Sequence, residues 1–223
     1  MPTTTATIWS HTGAALRGDE TAARAGLLRL VLLATLATAA YGAVMGSFAA
    51  VYGGSAWGVV FSAAKAPMLL GVTFALTLPS FVVINLLLGL RDDLGDVLHA
   101  LASAQVAVAM GLVSLAPLTL LWYVSVPRYE SAILFNAAMF ALASFGGQRP
   151  LRKRYARLVR RNALHGRLLK LWLGVYAFVG IQMGWVLRPF IGDPTKPAEF
   201  LRPEKWDNAY VIVVRIVWRV VSH

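Results

Sequence analysis

Long blocks of apolar residues constrain the fold of this chain more than any other feature of its sequence. Five such blocks follow one another, at about residues 25–51, 66–90, 97–124, 132–146 and 168–187. Because a helix needs roughly 20 apolar residues to cross the hydrocarbon core of a bilayer, blocks of this kind predict transmembrane helices. We therefore expect an all-α integral membrane protein, a bundle of about five transmembrane helices plus amphipathic interfacial segments.

The composition agrees with this class. Only 14% of the 223 residues are charged and 58% are hydrophobic, whereas about a quarter of the residues of a soluble domain are charged. The chain contains no cysteine, which excludes disulfides, cysteine-ligated zinc, iron–sulfur clusters and thiol nucleophiles. We expect no cofactor.

The two ends of the chain differ from the blocks. Residues 1–24 contain no apolar run and predict a flexible tail. A cleaved secretory signal is the alternative for the first block, but the apolar run continues past any such cleavage site. Residues 189–223 predict a turn and an amphipathic C-terminal segment. Its last block, at about 209–221, fits either an interfacial helix or a strand. The block is short for a transmembrane helix, and whether it crosses the membrane a sixth time stays open.

Basic residues between the fourth and fifth blocks indicate the orientation. Short loops rich in Lys and Arg stay cytoplasmic, so counting back along the blocks predicts a cytoplasmic N-terminus. The expected location of the protein is the inner membrane of a bacterium. The segment also has apolar residues close to helical spacing, which favours an amphipathic interfacial helix that binds anionic lipid headgroups rather than nucleic acid. Its candidate lipid- or partner-binding residues are Arg149, Arg152, Lys153, Arg154, Arg157, Arg160 and Arg161.

The turn "RDDLGD" between the second and third blocks has the spacing D-D-x-x-D, formed by Asp92, Asp93 and Asp96. Carboxylates in this pattern can hold Mg²⁺ against a diphosphate, as in intramembrane prenyltransferases. Such enzymes need a second aspartate-rich motif, which the sequence lacks. The alternative is a solvated loop with acidic residues at the positive end of the third helix. The four histidines show no metal-ligand spacing, so we expect no metal site.

Polar amides occur once in each of the last four blocks, at Asn85, Gln105, Asn136 and Gln182, and no Asp, Glu or Lys lies deep within a block. Polar groups in lipid turn inward and find partners. These amides are therefore expected to join helices, and the alternative is that they line a solute path.

The stretch "VGIQMGWVLRPFIGDP", residues 179–194, combines a helix-packing pattern with a helix end. Gly180 and Gly184 form a G-x-x-x-G pair that permits close approach of a second helix. Trp185 and Arg188 are typical interface anchors. Pro189 and the turn "IGDP" end the helix. Our hypothesis is that Arg188 and Asp193 pair around this turn and dock the C-terminal segment or a partner.

The stretch "GLRDDLGDVLHALASAQVAVAMGLVSLAPLTLLW" resembles the middle of the Yip family of membrane proteins, in which a Gly-bearing polar turn leads into a helix with a proline near its far end. The resemblance covers at most the central third of the chain. The stretch "VGIQMGWVLRPFIGDP" instead resembles a signature of uncharacterised multi-pass proteins of bacteria. The resemblance to the Yip family implies a five-helix membrane protein with a cytoplasmic N-terminus and no catalytic residues. The residues in comparable places are Gly89, Val97, Leu98, Ala104 and Pro117.

Three functions are compatible with these patterns. The first is a non-catalytic membrane scaffold, assembly factor or subunit of a membrane complex, with other membrane subunits or further copies of the chain as partners. The second is a small channel or carrier built around the four amides. The third, least favoured, is a Mg²⁺-dependent lipid- or prenyl-modifying enzyme that uses the three aspartates.

Overall fold

The computed structural model describes residues 27–201 and Trp218. Each apolar block forms a helix, and the described part of the chain contains five helices long and apolar enough to cross a membrane, with no strand. The prediction of an all-α bundle of five helices is confirmed, and the chain is a multi-pass membrane protein. The helices are α1 (Leu27–Val51), α2 (Trp57–Leu87), α3 (Leu94–Ser125), α4 (Tyr129–Arg161) and α5 (Leu164–Val186), with a 3₁₀ helix (Arg91–Asp93) before α3.

Short connections make successive helices run in opposite directions, so the bundle has two ends. At one end lie the turn before α3, the last turns of α4 and the start of α5; we call this the basic end. The opposite end holds the start of α2 and the segment after α5. Helix α1 packs against α2 and α3, α4 packs against α3, and α5 packs mainly against α2.

Close packing of α1 on α2 depends on two glycines of α1. A Cβ atom at Gly42 would lie under 3.0 Å from the backbone oxygen of Ser62, and one at Gly46 would meet the backbone oxygen of Gly58 equally closely. Only glycine allows backbones to approach in this way. The pair Gly42 and Gly46, rather than Gly180 and Gly184, is therefore the tight G-x-x-x-G contact among the described helices.

Several hydroxyl side chains inside the apolar helices bond to the backbone of their own helix. Thr38 Oγ1 donates to the carbonyl oxygen of Ala34 at 2.7 Å, and Ser103 Oγ donates to that of His99 at 2.7 Å. Since hydrocarbon offers no hydrogen-bond partner, these bonds satisfy the hydroxyl groups within the helix.

Two helices extend beyond the apolar blocks that predict them. Helix α2 begins at Trp57, so residues 57–65, which precede the second apolar block, belong to the same helix as that block. Helix α4 continues through the basic segment to Arg161. At 1.5 Å per residue its 33 residues span about 50 Å, well beyond the roughly 30 Å of a hydrocarbon core. The predicted tail at 1–24 and the last block at 209–221, apart from Trp218, lie outside the described residues.

Candidate functional site

Asn136 of α4 is the centre of a hydrogen-bond network buried between α1, α3 and α4. Its Oδ1 accepts a hydrogen bond from Tyr41 at 3.0 Å, and its Nδ2 donates to Tyr123 Oη at 2.7 Å and to the carbonyl oxygen of Ala132 at 2.8 Å. Tyr41 Oη also lies 3.3 Å from Thr119 Oγ1. Asn136 is 2% exposed. Its amide is therefore fully engaged in holding three helices together.

The other three amides have different surroundings. Gln105 Oε1 accepts a hydrogen bond from Tyr176 at 2.9 Å, which links α3 to α5. Asn85 is completely buried, and its Nδ2 donates to Phe81 of its own helix. Gln182 is half-buried and makes no side-chain hydrogen bond within residues 27–201. The structure thus brings Asn136 and Gln105 into contact with other helices and does not bring the four amides together.

Gly180 and Gly184 face α2, but the contact there is loose. A Cβ atom at Gly180 would lie 3.6 Å from Thr73 Cγ2, and one at Gly184 would lie 3.9 Å from Leu69 Cδ1. These are ordinary van der Waals distances, so alanine would fit at both positions. The two glycines lie where α5 packs on α2, but this packing does not require glycine at either position.

At the basic end Asp93 joins three elements. Its Oδ1 accepts a hydrogen bond from Arg161 Nη1 at 2.7 Å, and its Oδ2 accepts one from His165 Nε2 at 3.1 Å. The imidazole is almost fully buried, whereas Arg161 is exposed. The hydrogen bond from His165 and the guanidinium of Arg161 hold the pKa of the Asp93 carboxyl below its usual value. Asp93 therefore ties the turn before α3 to the end of α4 and the start of α5.

The basic segment has two distinct faces. Leu151, Tyr155 and Leu158 are buried in a cluster with residues of α2, α3 and α5, so its apolar face packs on the protein. The sequence predicts an amphipathic interfacial helix here. The segment is instead the last part of α4, and its apolar face packs on the core of the protein. Of the candidate lipid-binding residues, Arg154 is 7% exposed and the others point outward, namely Arg149, Arg152, Lys153, Arg157, Arg160 and Arg161.

A cleft of about 400 Å³ separates the start of α3 from the end of α4. Asp92, Asp96 and His99 line one wall, and Arg154, Arg157 and Arg161 line the other. No group of three Asp, Glu or His residues in the described ranges is arranged to hold a metal ion. The D-D-x-x-D pattern is thus divided between Asp93, which binds Arg161 and His165, and two carboxylates that face the cleft.

Lys65 is the most unusual residue of the opposite end. It lies in the third turn of α2, and its side chain is fully buried. Its Nζ donates to the backbone carbonyl oxygens of Pro189 at 2.7 Å and Glu199 at 3.4 Å, and lies 5.0 Å from the centre of the Phe200 ring. No sequence pattern indicates this role, since Lys65 immediately precedes the second apolar block. A lysine beside a Gly-rich stretch is normally exposed.

The segment after α5 is held on the helices by several such bonds. Ser62 Oγ donates to the carbonyl oxygen of Phe190, and Tyr129 Oη donates to that of Ile191 at 3.1 Å. Ile191 is 4% exposed. The predicted turn "IGDP" therefore packs onto α2 and α4 of its own chain. A small cavity of about 110 Å³ remains beneath it, between this segment and the start of α2.

The predicted anchor residues have defined contacts at this turn. The guanidinium carbon of Arg188 lies 3.4 Å from the centre of the Trp185 ring, which is a stacked cation–π arrangement. Asp193 accepts a hydrogen bond from Thr195 Oγ1 at 2.7 Å and lies 3.7 Å from Lys196 Nζ. The expected pairing of Arg188 with Asp193 stays a prediction.

No protein-family model, curated protein or solved structure matches this chain. The resemblance to the Yip family therefore rests on the residues of the central third alone.

Proposed function

We propose that this protein is a non-catalytic scaffold, assembly factor or subunit of a membrane complex in the inner membrane of a bacterium, with its N-terminus and basic end in the cytoplasm. The observation that carries the proposal is the network around Asn136. Because its amide bonds with Tyr41, Tyr123 and its own helix, this buried amide is committed to internal structure rather than to a solute path. We therefore expect contacts with other molecules on the outer surface of the bundle.

Of the five described helices, α5 has the smallest buried fraction in its most apolar stretch. Only 11% of its most apolar stretch is buried among the described residues, against 33% for α1 and for α3. Gly174, Ala177 and Ile181 are exposed and recur at helical spacing, so they share one face. Small residues on a membrane helix permit close approach of another helix. This face is our proposed contact with a partner subunit or a second copy.

The basic end provides a second proposed contact surface, for anionic lipid headgroups. The outward-pointing arginines of α4 lie beyond the length that a hydrocarbon core covers, where each is worth about 1 kcal/mol of attraction near an anionic leaflet. Among them, Arg149, Arg152 and Arg160 form no ion pair with an acidic residue of residues 27–201. They are thus available to anionic lipid headgroups.

Purification of the tagged full-length chain from its own membrane in mild detergent tests the proposal. We expect a stoichiometric partner or a defined homo-oligomer that persists through a second affinity step. A chain that emerges alone and monomeric from several mild detergents would contradict the scaffold. Neither the channel nor the enzyme alternative has comparable support, since the four amides lie apart and Asp93 is engaged by Arg161 and His165.

A further inference from the structure

The segment after α5 forms a loop whose two ends meet at one side chain. The ammonium group of Lys65 donates to the backbone carbonyl oxygens of both Pro189 and Glu199. The chain therefore leaves Lys65 and returns to it, as in compact loops whose ends lie close together. We call residues 189–200 the returning loop.

The packing of α1 on α2 gives the depth of the returning loop in the bilayer. Gly42 of α1 contacts Ser62 of α2, and the two helices run in opposite directions. Lys65 therefore lies beside about residue 39 of α1, roughly 18 Å before that helix ends. Helix α1 has no charged residue after Arg29. Both ends of the loop thus lie at the depth of the uncharged part of a transmembrane helix.

Hydropathy alone allows another placement, in which the first turns of α2 protrude into water. Helix α2 has 31 residues and is about 46 Å long, more than a perpendicular crossing of a roughly 30 Å core needs. The contacts with α1 favour the embedded placement, since Trp57 then lies beside about residue 47 of α1. The outer face of these turns agrees with it, because Trp57 is 63% exposed and Val60 is 55% exposed.

The backbone of the returning loop obtains hydrogen bonds from side chains of the bundle. Besides the bonds from Lys65, Ser62 Oγ donates to the carbonyl oxygen of Phe190, and Tyr129 Oη donates to that of Ile191 at 3.1 Å. A loop in water needs no such donors, because water satisfies its carbonyl groups. Inside a bilayer, non-helical backbone is tolerated only where protein groups or enclosed water satisfy it. These side chains meet that requirement.

Three aromatic rings extend from the start of α2 to the end of the returning loop. Trp57 stacks on Phe61 with ring centres 6.0 Å apart, and Phe61 meets Phe200 edge to face at 5.6 Å. Phe200 is 37% exposed. The tip of the loop, residues 195–197, is exposed and contains the charged Lys196. Aromatic rings beside a charged tip are typical of the boundary between acyl chains and headgroups.

We propose that the returning loop is embedded in the bilayer at the end opposite the basic end, where Trp57, Val60 and Phe200 contact lipid acyl chains and residues 195–197 reach the headgroups. The partner of this surface is lipid. The buried ammonium of Lys65 supplies, within the membrane, hydrogen bonds that water supplies to an exposed loop. The placement is independent of the scaffold function, because it follows from contacts within the chain.

Collisions of a spin label with two quenchers measure this placement. The chain has no cysteine, so a nitroxide can be attached to single-cysteine variants of the full-length protein in phospholipid vesicles. Oxygen concentrates among acyl chains, whereas a charged nickel chelate stays in water. Val60→Cys and Phe200→Cys are the test positions. Leu36→Cys is the acyl-chain control, because Leu36 is 60% exposed in α1, and Thr195→Cys reports on the tip of the loop.

The ratio of oxygen to nickel collisions at positions 60 and 200 is expected to approach that at position 36 and to exceed that at position 195 severalfold. A ratio at position 60 or 200 as low as that at 195, in a variant with the wild-type melting temperature, would overturn the proposal. Few collisions with either quencher at both positions would overturn it as well, because protein would then cover the surface. If Phe200→Cys melts below wild type, position 60 decides, since Trp57, Val60 and Phe61 share one face of α2.

Discussion

The ammonium group of Lys65 donates a hydrogen bond to the backbone carbonyl oxygen of Pro189 at 2.7 Å, which joins α2 to the segment that follows α5. The same ammonium reaches the carbonyl oxygen of Glu199 at 3.4 Å and lies over the ring of Phe200. One buried side chain thus fixes residues 189–200 across the opposite end of the bundle. Burial of an ammonium group is costly unless hydrogen-bond partners replace the water that it loses, so these carbonyl groups are needed to keep Lys65 buried.

Replacement of Lys65 by methionine is expected to lower the free energy of unfolding by about 1.5–3 kcal/mol, because hydrogen bonds from a charged donor are lost and carbonyl groups are left buried. Thermal unfolding in detergent measures the loss, and limited proteolysis should reveal faster cleavage within residues 189–201. Lys196→Met is the control, since the Lys196 side chain is 65% exposed and its ion pair with Asp193 at 3.7 Å is a surface contact. If both variants melted at the wild-type temperature, Lys65 would not hold this segment.

Gly42→Ala and Gly46→Ala are expected to destabilise the bundle by about 1–3 kcal/mol, because the added methyl group would collide with the backbone of α2. Gly180→Ala and Gly184→Ala should change the melting temperature little, since an added Cβ there makes ordinary contacts. Gly71→Ala controls for helix propensity, as nothing lies within 4 Å of its Cβ position. Equal losses in the two glycine pairs would show that α5 packs on α2 more tightly than the structure indicates.

Asn136→Leu is expected to cost about 0.5–2 kcal/mol of stability, because Tyr41 and Tyr123 each lose a partner in the interior of the bundle. Gln182→Leu should be close to neutral, because that amide is half-buried without a hydrogen bond in the described residues. Unfolding in detergent and solute flux in liposomes are measured on both variants. A change in flux with no change in stability would favour the channel alternative instead.

Asp93→Ala is expected to destabilise the protein by about 1–3 kcal/mol, since it leaves the buried imidazole of His165 without its partner. Asp92→Ala should have little effect on unfolding, because Asp92 is exposed and makes no ion pair in residues 27–201. An enzyme built on the D-D-x-x-D pattern would need both residues for activity. Similar effects of the two substitutions on stability would show that Asp93 does not join the three elements at the basic end.

The contribution of Asp93 should also depend on pH. Its pKa is lowered in the folded protein by His165 and Arg161, so the stabilisation is fully present above the ordinary carboxyl value of 3.8. It is lost as the pH falls from that value through the lowered pKa of the folded state. Unfolding measured from pH 6 downward should therefore show a smaller difference between wild type and Asp93→Ala in acid, and a constant difference would contradict it.

The sequence predicts the five helices because each apolar block is long enough to require one, and hydrocarbon leaves the backbone no alternative. It predicts less well where the helices end. Lys65 falls outside the second block by hydropathy, yet α2 begins at Trp57, and its residues Ser62 and Lys65 bond to the segment after α5. The sequence of the basic part of α4 predicts a surface helix because its apolar residues are sparse. The structure shows that two of these apolar residues, Leu151 and Tyr155, are buried against α2, α3 and α5.

Individual sites depend on pairings that one sequence does not reveal. Asn136 and Gln182 are both isolated amides in apolar blocks, but only Asn136 meets tyrosines from other helices. Gly42 and Gly180 both begin a G-x-x-x-G pattern, and only the backbone of α2 beside Gly42 makes that glycine necessary. The distinction between Asp93 and its neighbours likewise comes from His165 and Arg161, about 70 residues away in the chain.

The mass of the solubilised particle tests the proposed scaffold most directly. Wild type and two variants are extracted in the same mild detergent and weighed by native mass spectrometry, where a single chain is 24.1 kDa. Gly174→Leu adds bulk to the exposed face of α5, and Gly146→Leu does the same on α4; nothing lies within 4 Å of either Cβ position, so both should fold. We predict a particle larger than one chain for wild type and for Gly146→Leu, reduced to a single chain by Gly174→Leu. A wild-type particle of one chain alone would contradict the proposed scaffold.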